Sequence, residues 1–433
     1  MPALATAITV LLVLLLAIGM PIAFAIAVAG TVGVYLIGGL DMVLSFLTTV
    51  PFSGAANYEL MTIPMFVLMA EFVIVSGVAD DLFDTVNAWV QKYRGGLGIS
   101  TILTGAAFGA ICGSSAASAA TLSATALPQM VRHGYDRRAA SGLTAIVGTL
   151  AVMIPPSNGL VIYGILSEVN IGKLLVAGLF PGLLGAAVLI LALRFLLWRN
   201  PNLIKVVPQE VEGAGDRVRM LVNIAPMLVL FALVTGVLYL GVATPTEASA
   251  LGAFGALVLA LAKRRLSLAA FYRALRNTAR TSAMITMIII GALLFGYFLT
   301  LTQTTQSIVH HIGGLPVPRG VILALVILIY LVLGCFLDQV AILVLTVPIT
   351  LPIIVGLGYD PLWFGIIVTL TSEIGLVTPP VGLNVFIVAR YTETPLQDVF
   401  AGVAPYVVAM LLLLIALAAF PQLVLWVPST IPN

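Results

Sequence analysis

The sequence predicts an all-α polytopic membrane protein built from two inverted-topology repeats, and three observations predict it. The first is composition: 61% of the 433 residues are hydrophobic and only 8% charged, with a mean hydropathy of +1.17. That excludes a soluble globular chain and a disordered one. Apolar runs long enough to span recur from end to end, without the strict alternation of an outer-membrane barrel. The second is internal duplication. At a shift of 224 residues, Gly134-Tyr135-Asp136 meets Gly358-Tyr359-Asp360, Leu127-Pro128 meets Leu351-Pro352, Pro155-Pro156 meets Pro379-Pro380 and Pro21 meets Pro245. The third is charge. With the polar linker placed in the cytoplasm, 17 of the 19 Lys and Arg residues fall on cytoplasmic segments, leaving only Lys173 and Arg319 outside, as the positive-inside rule requires.

Each element follows from these. The first repeat occupies 1–200, the cytoplasmic linker 201–219 and the second repeat 220–433. The N-terminal stretch has no positive n-region, so it reads as the first transmembrane helix rather than a cleaved signal peptide. Spans are expected near 3–18, 20–39, 58–78, 138–167 and 172–197. Between 95 and 131 lie 37 uncharged residues. As a straight helix they would run about 55 Å, too long for one crossing of about 30 Å and short for two plus a turn. A re-entrant hairpin over about 97–132, its tip at Gly113–Ser115, satisfies that length. The repeat shift places a second hairpin at about 320–357, with Asp338 in the position of Ser114. Five spans plus a same-side hairpin make an odd number of crossings. The second repeat is therefore inverted, both termini face outward, and the hairpins open to opposite sides.

Two spans, about 138–167 and 361–390, carry a double proline mid-way. Proline inside a helix removes a hydrogen bond and clashes with the preceding turn. Freed backbone at membrane depth is tolerated where it lines a polar cavity. A hairpin and a broken helix in each of two inverted repeats is the architecture of a secondary transporter. The breaks free carbonyls for a cation and create half-helix N-termini that favour an anion.

Polar side chains gather at these places. Ser114 and Ser115 offer hydroxyls to Na⁺ or to a substrate, whereas Ser118 and Ser123 suit close helix packing. Asn158 and Asn384 follow the double prolines, and an amide serves a cation or a substrate equally. Thr371, Ser372 and Thr378 line the approach to the second break. Asp338, alone between long uncharged runs, is a candidate Na⁺ ligand or a hairpin cap. Glu373 could ligate, titrate or bond to unwound backbone. Glu247 reads as a first-turn helix residue. Cys112 and Cys335 read as small packing residues with no metal-ligand spacing. HExxH, Walker A and GxGxxG motifs are absent, so the chain itself does not drive transport with ATP. Its net charge of +2 and the lack of basic clusters with interleaved aromatics suggest no nucleic-acid partner. An intramembrane serine hydrolase built on Ser115 would need a base, and His133, His310 and His311 are all misplaced for one. The chain is expected not to be an enzyme and to need no organic cofactor.

"GAICGSSAASAATLSATALPQM", "GYDRRAASGLTAIVGTLAVMIPPSNGLVIYG" and "GCFLDQVAILVLTVPITLPI" with the later "TPPVGLNVFI" resemble the large membrane subunit of tripartite ATP-independent periplasmic (TRAP) transporters over nearly the whole chain. The resemblance implies uptake of an organic acid across a bacterial inner membrane, driven by a Na⁺ gradient and carried by an elevator movement. It implies two protein partners, a small four-helix membrane subunit and a soluble periplasmic substrate-binding protein, with the lipid bilayer around them. The small subunit is expected as a separate chain. Carried onto this sequence, the Na⁺ positions are Ser114, Ser115, Pro155, Ser157, Asn158, Gly159, Asp338, Thr378, Pro379, Gly382 and Asn384, with Thr371 nearby. Substrate positions are Ser114, Ser115, Asn158 and Asn384. C4-dicarboxylates, sugar acids, sialic acid and amino acids all remain compatible. The alternative is an ion-coupled citrate or dicarboxylate carrier that works alone.

Overall fold

The computed structural model describes residues 2–204, 214–313 and 316–430. Residues 205–213 of the 201–219 linker, Lys205 among them, therefore lie outside the described residues. Among the described residues the chain is helical throughout, with no strands beyond one isolated bridge between Tyr135 and Ile204. Among the described residues, eight helices are long and apolar enough to cross a membrane, or nine if one bent pair counts as a span.

The first half runs α1 (Pro2–Ala17), α2 (Ile22–Ala55), α3 (Thr62–Ser76), α4 (Val78–Val90), α5 (Gly96–Cys112), α6 (Ser115–Arg132), α7 (Arg137–Gly148), α8 (Leu150–Met153), α9 (Asn158–Ser167) and α10 (Ile171–Arg199). The second runs α11 (Ala214–Tyr239), α12 (Pro245–Ala262), α13 (Leu268–Leu301), α14 (Thr304–Gly313), α15 (Arg319–Gly334) and α16 (Gln339–Gly356). It ends with α17 (Pro361–Gly375), α18 (Leu383–Thr392), α19 (Leu396–Ala419) and the short α20 (Gln422–Leu425).

Two elements differ from the hydropathy reading. The second expected span, 20–39, continues as α2 to Ala55, because the chain turns at Gly39 (φ 71°, ψ −165°) and resumes as helix. Only a residue without Cβ takes that conformation cheaply. α4 has no counterpart among the expected spans. It buries Val78, Ala79, Leu82 and Phe83 and carries Asp80, Asp81 and Asp84 between them. Such an amphipathic helix has too little apolar length to register as a span. Asp81 pairs with Lys263 just after α12, and the Thr85 hydroxyl lies 3.3 Å from the Met220 carbonyl of α11.

The helices sort into two bundles, each drawing on both halves of the chain. In one, α2 lies along α13 and α3 along α12. The α2–α13 crossing is close because a Cβ on Gly30 would fall 2.8 Å from the Phe295 amide, and one on Gly291 2.8 Å from the Ala23 carbonyl. Small residues of this kind let helix backbones meet where no water drives them together. The other bundle holds α5–α10 and α15–α20. There α7 crosses α19 at Gly142 and Gly402, whose backbones leave no room for a side chain.

Candidate functional site: two helix breaks facing two hairpin turns

Both double prolines interrupt helices inside the second bundle. At the first, α8 stops at Met153, and α9 restarts at Asn158 at 44° to the preceding segment. Ile154 and Ser157 are extended, and the Ser157 hydroxyl accepts the Leu160 amide at 3.2 Å, satisfying one free donor of α9. At the second, α17 stops at Gly375 and α18 restarts at Leu383, with Gly382 (φ 63°) in the cap position. Both Pro-Pro bonds are cis.

Each break meets the turn of a helical hairpin. α5 and α6 are 17 and 18 residues long, about 25 Å each and short of a full crossing. They reverse at Gly113 (φ 60°) and Ser114. The Asn158 amide donates to the Gly113 carbonyl at 3.4 Å. A Cβ on Gly113 would sit 2.7 Å from the Pro156 carbonyl, so glycine is demanded by close approach as well as by φ. The second hairpin, α15 and α16, repeats the contact: the Gly382 amide donates to the Cys335 carbonyl at 3.3 Å.

The hairpins then cross over. α16 packs on α9, and α6 packs on α18. Gln339, the first residue of α16, lies against Gly159 so closely that a Cβ there would be 2.5 Å from its amide group. Ser115, the first residue of α6, faces Glu373 of α17. The N-termini of α6, α9, α16 and α18 therefore gather around one region. Each contributes roughly half a positive charge from its free amides. No Lys or Arg lies between 95 and 131, between 139 and 172 or between 320 and 389, so these helix ends are the cationic partners that the surrounding segments supply.

The predicted residues fall as follows. Ser114 is the N-cap of α6, its hydroxyl accepting the Ala117 amide at 3.4 Å. Asp338 holds the equivalent N-cap position of α16 without a well-formed capping hydrogen bond, its carboxylate facing the backbone amides of Val340 and Ala341 in the first turn. Pro155, Ser157, Asn158 and Gly159 lie at the first break, where Gly159 meets Gln339 and Asn158 meets the turn that Ser115 follows, and Asp338, Pro379, Gly382 and Asn384 lie at the second turn and break. The Thr371 and Thr378 hydroxyls donate to Ile367 and Ile374 carbonyls at 2.7 Å, so each is spent on its own helix. Their remaining lone pairs can still accept or ligate.

Side-chain atoms left without a hydrogen bond concentrate here: Asn158 Oδ1, Gln339 Nε2, both amide atoms of Asn384 and both oxygens of Glu373. Asn384 and Glu373 are fully buried. Buried polar atoms are normally paired, so a cluster of unpaired ones marks the place of an ion, substrate or water. Gln339 had no signal in hydropathy, but the repeat register would have found it, since it stands where Ser115 stands in the first half. The donors are neutral oxygens and amides plus two carboxylates, and no group of three His, Cys, Asp or Glu residues forms among the described residues. That set suits a hard monovalent cation and not zinc.

Broken helices and hairpin turns around an unpaired polar centre, inside an apolar helical bundle, define a membrane transporter. Residues 9–423 match the family profile described as the DctM component of the tripartite ATP-independent periplasmic transporter. The chain belongs to that family, the large permease subunits of TRAP transporters. It is 34% identical to the C4-dicarboxylate TRAP transporter large permease protein DctM of Pseudomonas aeruginosa, over 87% of this chain and 88% of that one. To the isethionate TRAP transporter permease protein DctMQ of Oleidesulfovibrio alaskensis it is 31% identical, over 95% of this chain and 64% of that longer protein. In fold it is similar to the Alcanivorax borkumensis YdaH transporter, with a TM-score of 0.64 at 14% identity, covering 88% of this chain and 89% of that one.

Proposed function

We propose that this chain is the membrane pathway for Na⁺-coupled uptake of a small organic acid across a bacterial inner membrane. A periplasmic binding protein delivers the substrate, and a small membrane subunit completes the permease. The observation that carries this reading is the centre between the breaks, where four helix N-termini surround buried polar atoms that lack partners. An anion there is favoured by the helix ends, and a cation by Asp338, Glu373 and the freed carbonyls. Bound together they neutralise each other, which is the physical basis of coupling: each makes the other's site less costly to fill. Ser115, Ser157, Asn158, Gly159, Thr371, Thr378 and Asn384 supply neutral oxygens. The relatives named for C4-dicarboxylates and isethionate favour a small carboxylate or sulfonate.

The two halves are read as inverted repeats, with α5–α6 and α15–α16 as re-entrant hairpins opening to opposite sides. Both termini are placed in the periplasm. The bundle of α5–α10 and α15–α20 is read as the part that slides against the α2–α13 bundle, carrying its load as an elevator. In proteoliposomes containing both membrane subunits and loaded binding protein, uptake is expected only with an inward Na⁺ gradient. Equal uptake when K⁺ replaces Na⁺, at fixed pH and potential, would refute the coupling ion. Impermeant labelling of cysteines placed at Gly134 and Gly358 is expected from opposite sides. Labelling of both from one side rules out the inversion.

A further inference from the structure

On the outer wall of the second bundle, away from the breaks, α10 and α19 leave an open apolar groove of about 650 Å³. Small side chains form part of its floor, among them Ala192, Ala409 and Ala416. Along α19 it extends from Pro405 to Ala416, about 16 Å of helix. That is about half of a 30 Å hydrocarbon core, the depth of one leaflet. The groove shares Leu196 and Pro405 with a second pocket of about 150 Å³ at the end of α10. This second pocket is polar at its edge, where Asp136, Arg138 and Asn200 line it.

Charge at that edge is predominantly positive. Arg199 continues the stripe of groove-lining residues Val188, Ala192 and Phe195 by one helical turn. Arg138 and Arg199 are exposed, and the one ion pair among the described residues is Lys263 with Asp81, so neither arginine is matched by a carboxylate. Arg94 adds a third cation, its guanidinium 3.0 Å from the Pro201 carbonyl. Against these stands Asp136, whose carboxylate already accepts the Ala139 amide at 3.1 Å. Trp198, 79% exposed, sits at the same level, where indole rings favour the boundary of membrane and water.

We propose that this groove holds one acyl chain of an anionic phospholipid of the cytoplasmic leaflet, with its phosphate docked at Arg138 and Arg199. The excess of fixed positive charge selects a headgroup of net negative charge over a zwitterionic one. The lipid bridges α7, α10, α19 and the Leu203–Ile204 segment, tying together helices that would travel as one body. Its assignment to the cytoplasmic leaflet rests on the orientation proposed above. Lipid retention by purified protein does not depend on orientation, so the two claims fail separately.

Native mass spectrometry of the detergent-purified full chain, titrated with dioleoyl phosphatidylglycerol or dioleoyl phosphatidylethanolamine, tests it. The wild type is expected to retain one phosphatidylglycerol with about tenfold preference or more. Arg138→Ala/Arg199→Ala, a surface change, is expected to abolish that preference. Ala409→Phe, which fills the groove, is expected to abolish retention itself. Should the groove-filling variant not fold, the arginine pair alone decides. Equal retention of both lipids by the wild type, or a preference that survives loss of the arginines, overturns the proposal.

Discussion

The two helix breaks share a double proline and a docking hydrogen bond to a hairpin turn, yet one is sealed and the other open. Residues 151–157 are all buried, with Ser157 wholly inaccessible. Pro379, Pro380 and Val381 are exposed, as are Leu383 and Phe386 beyond them and Phe336 on the facing turn. The first break takes four residues, 154–157, and the second seven, 376–382. Ser157 caps α9 with its own hydroxyl, whereas Gly382 brings no side chain to α18. Gln339 of the other half further covers the first break at Gly159. The two breaks thus share one device, and local sequence leaves the first buried and the second exposed.

The largest effect expected from breaking this comparison is at Gly113. A Cβ there meets backbone, at 2.7 Å, in a left-handed conformation. Clash and strain together amount to about 3 kcal/mol, or roughly two decades. Gly113→Ala is therefore expected to abolish uptake in proteoliposomes. Gly382→Ala carries similar left-handed strain but meets the Phe400 ring, a side chain that can move, at 2.8 Å, and is expected to lose less. Equal losses would show that the breaks are equally constrained.

Accessibility comes next. In a background with Cys112 and Cys335 replaced by alanine, Val381→Cys is expected to react with a hydrophilic maleimide about tenfold faster or more than Ser157→Cys, as their burial implies. Comparable rates would mean that the first break opens as readily as the second.

Asp338→Asn follows. Asn keeps the shape but removes the charge that offsets a cation, so the apparent Na⁺ affinity is expected to fall about tenfold, or about 1.4 kcal/mol. Membrane insertion stays normal, because a charge has left an apolar segment. An unchanged Na⁺ dependence of uptake removes Asp338 from the site and leaves the carbonyls as ligands. The smallest effect belongs to its counterpart. Ser114→Ala loses one neutral oxygen and a weak cap of 3.4 Å, and a shift of about threefold or less is expected in the same assay.

The hairpins and the breaks can be read along the chain because each leaves a local trace. Proline and glycine restrict backbone wherever they stand, and long apolar runs declare burial in lipid without reference to a partner. α4 left no such trace, since three aspartates dilute its short apolar stripe. Gln339 leaves little trace because one amide in an apolar run changes the hydropathy little. Glu373 stands out in the sequence as a lone charge in an apolar run, but its neighbour Ser115 lies more than 250 residues away in sequence.

By itself, then, the sequence determined that this protein lies in the membrane and where its helices break, because hydrophobic transfer and backbone sterics act residue by residue. Only the tertiary structure decided that α16 covers α9 while α6 lies on α18, and that the first break is shut while the second is open. Those outcomes depend on which glycines let backbones touch, at Gly113 with Pro156 and Gly142 with Gly402. They depend as well on which side chains reach across between halves, and contacts between distant segments have no signature in either segment alone.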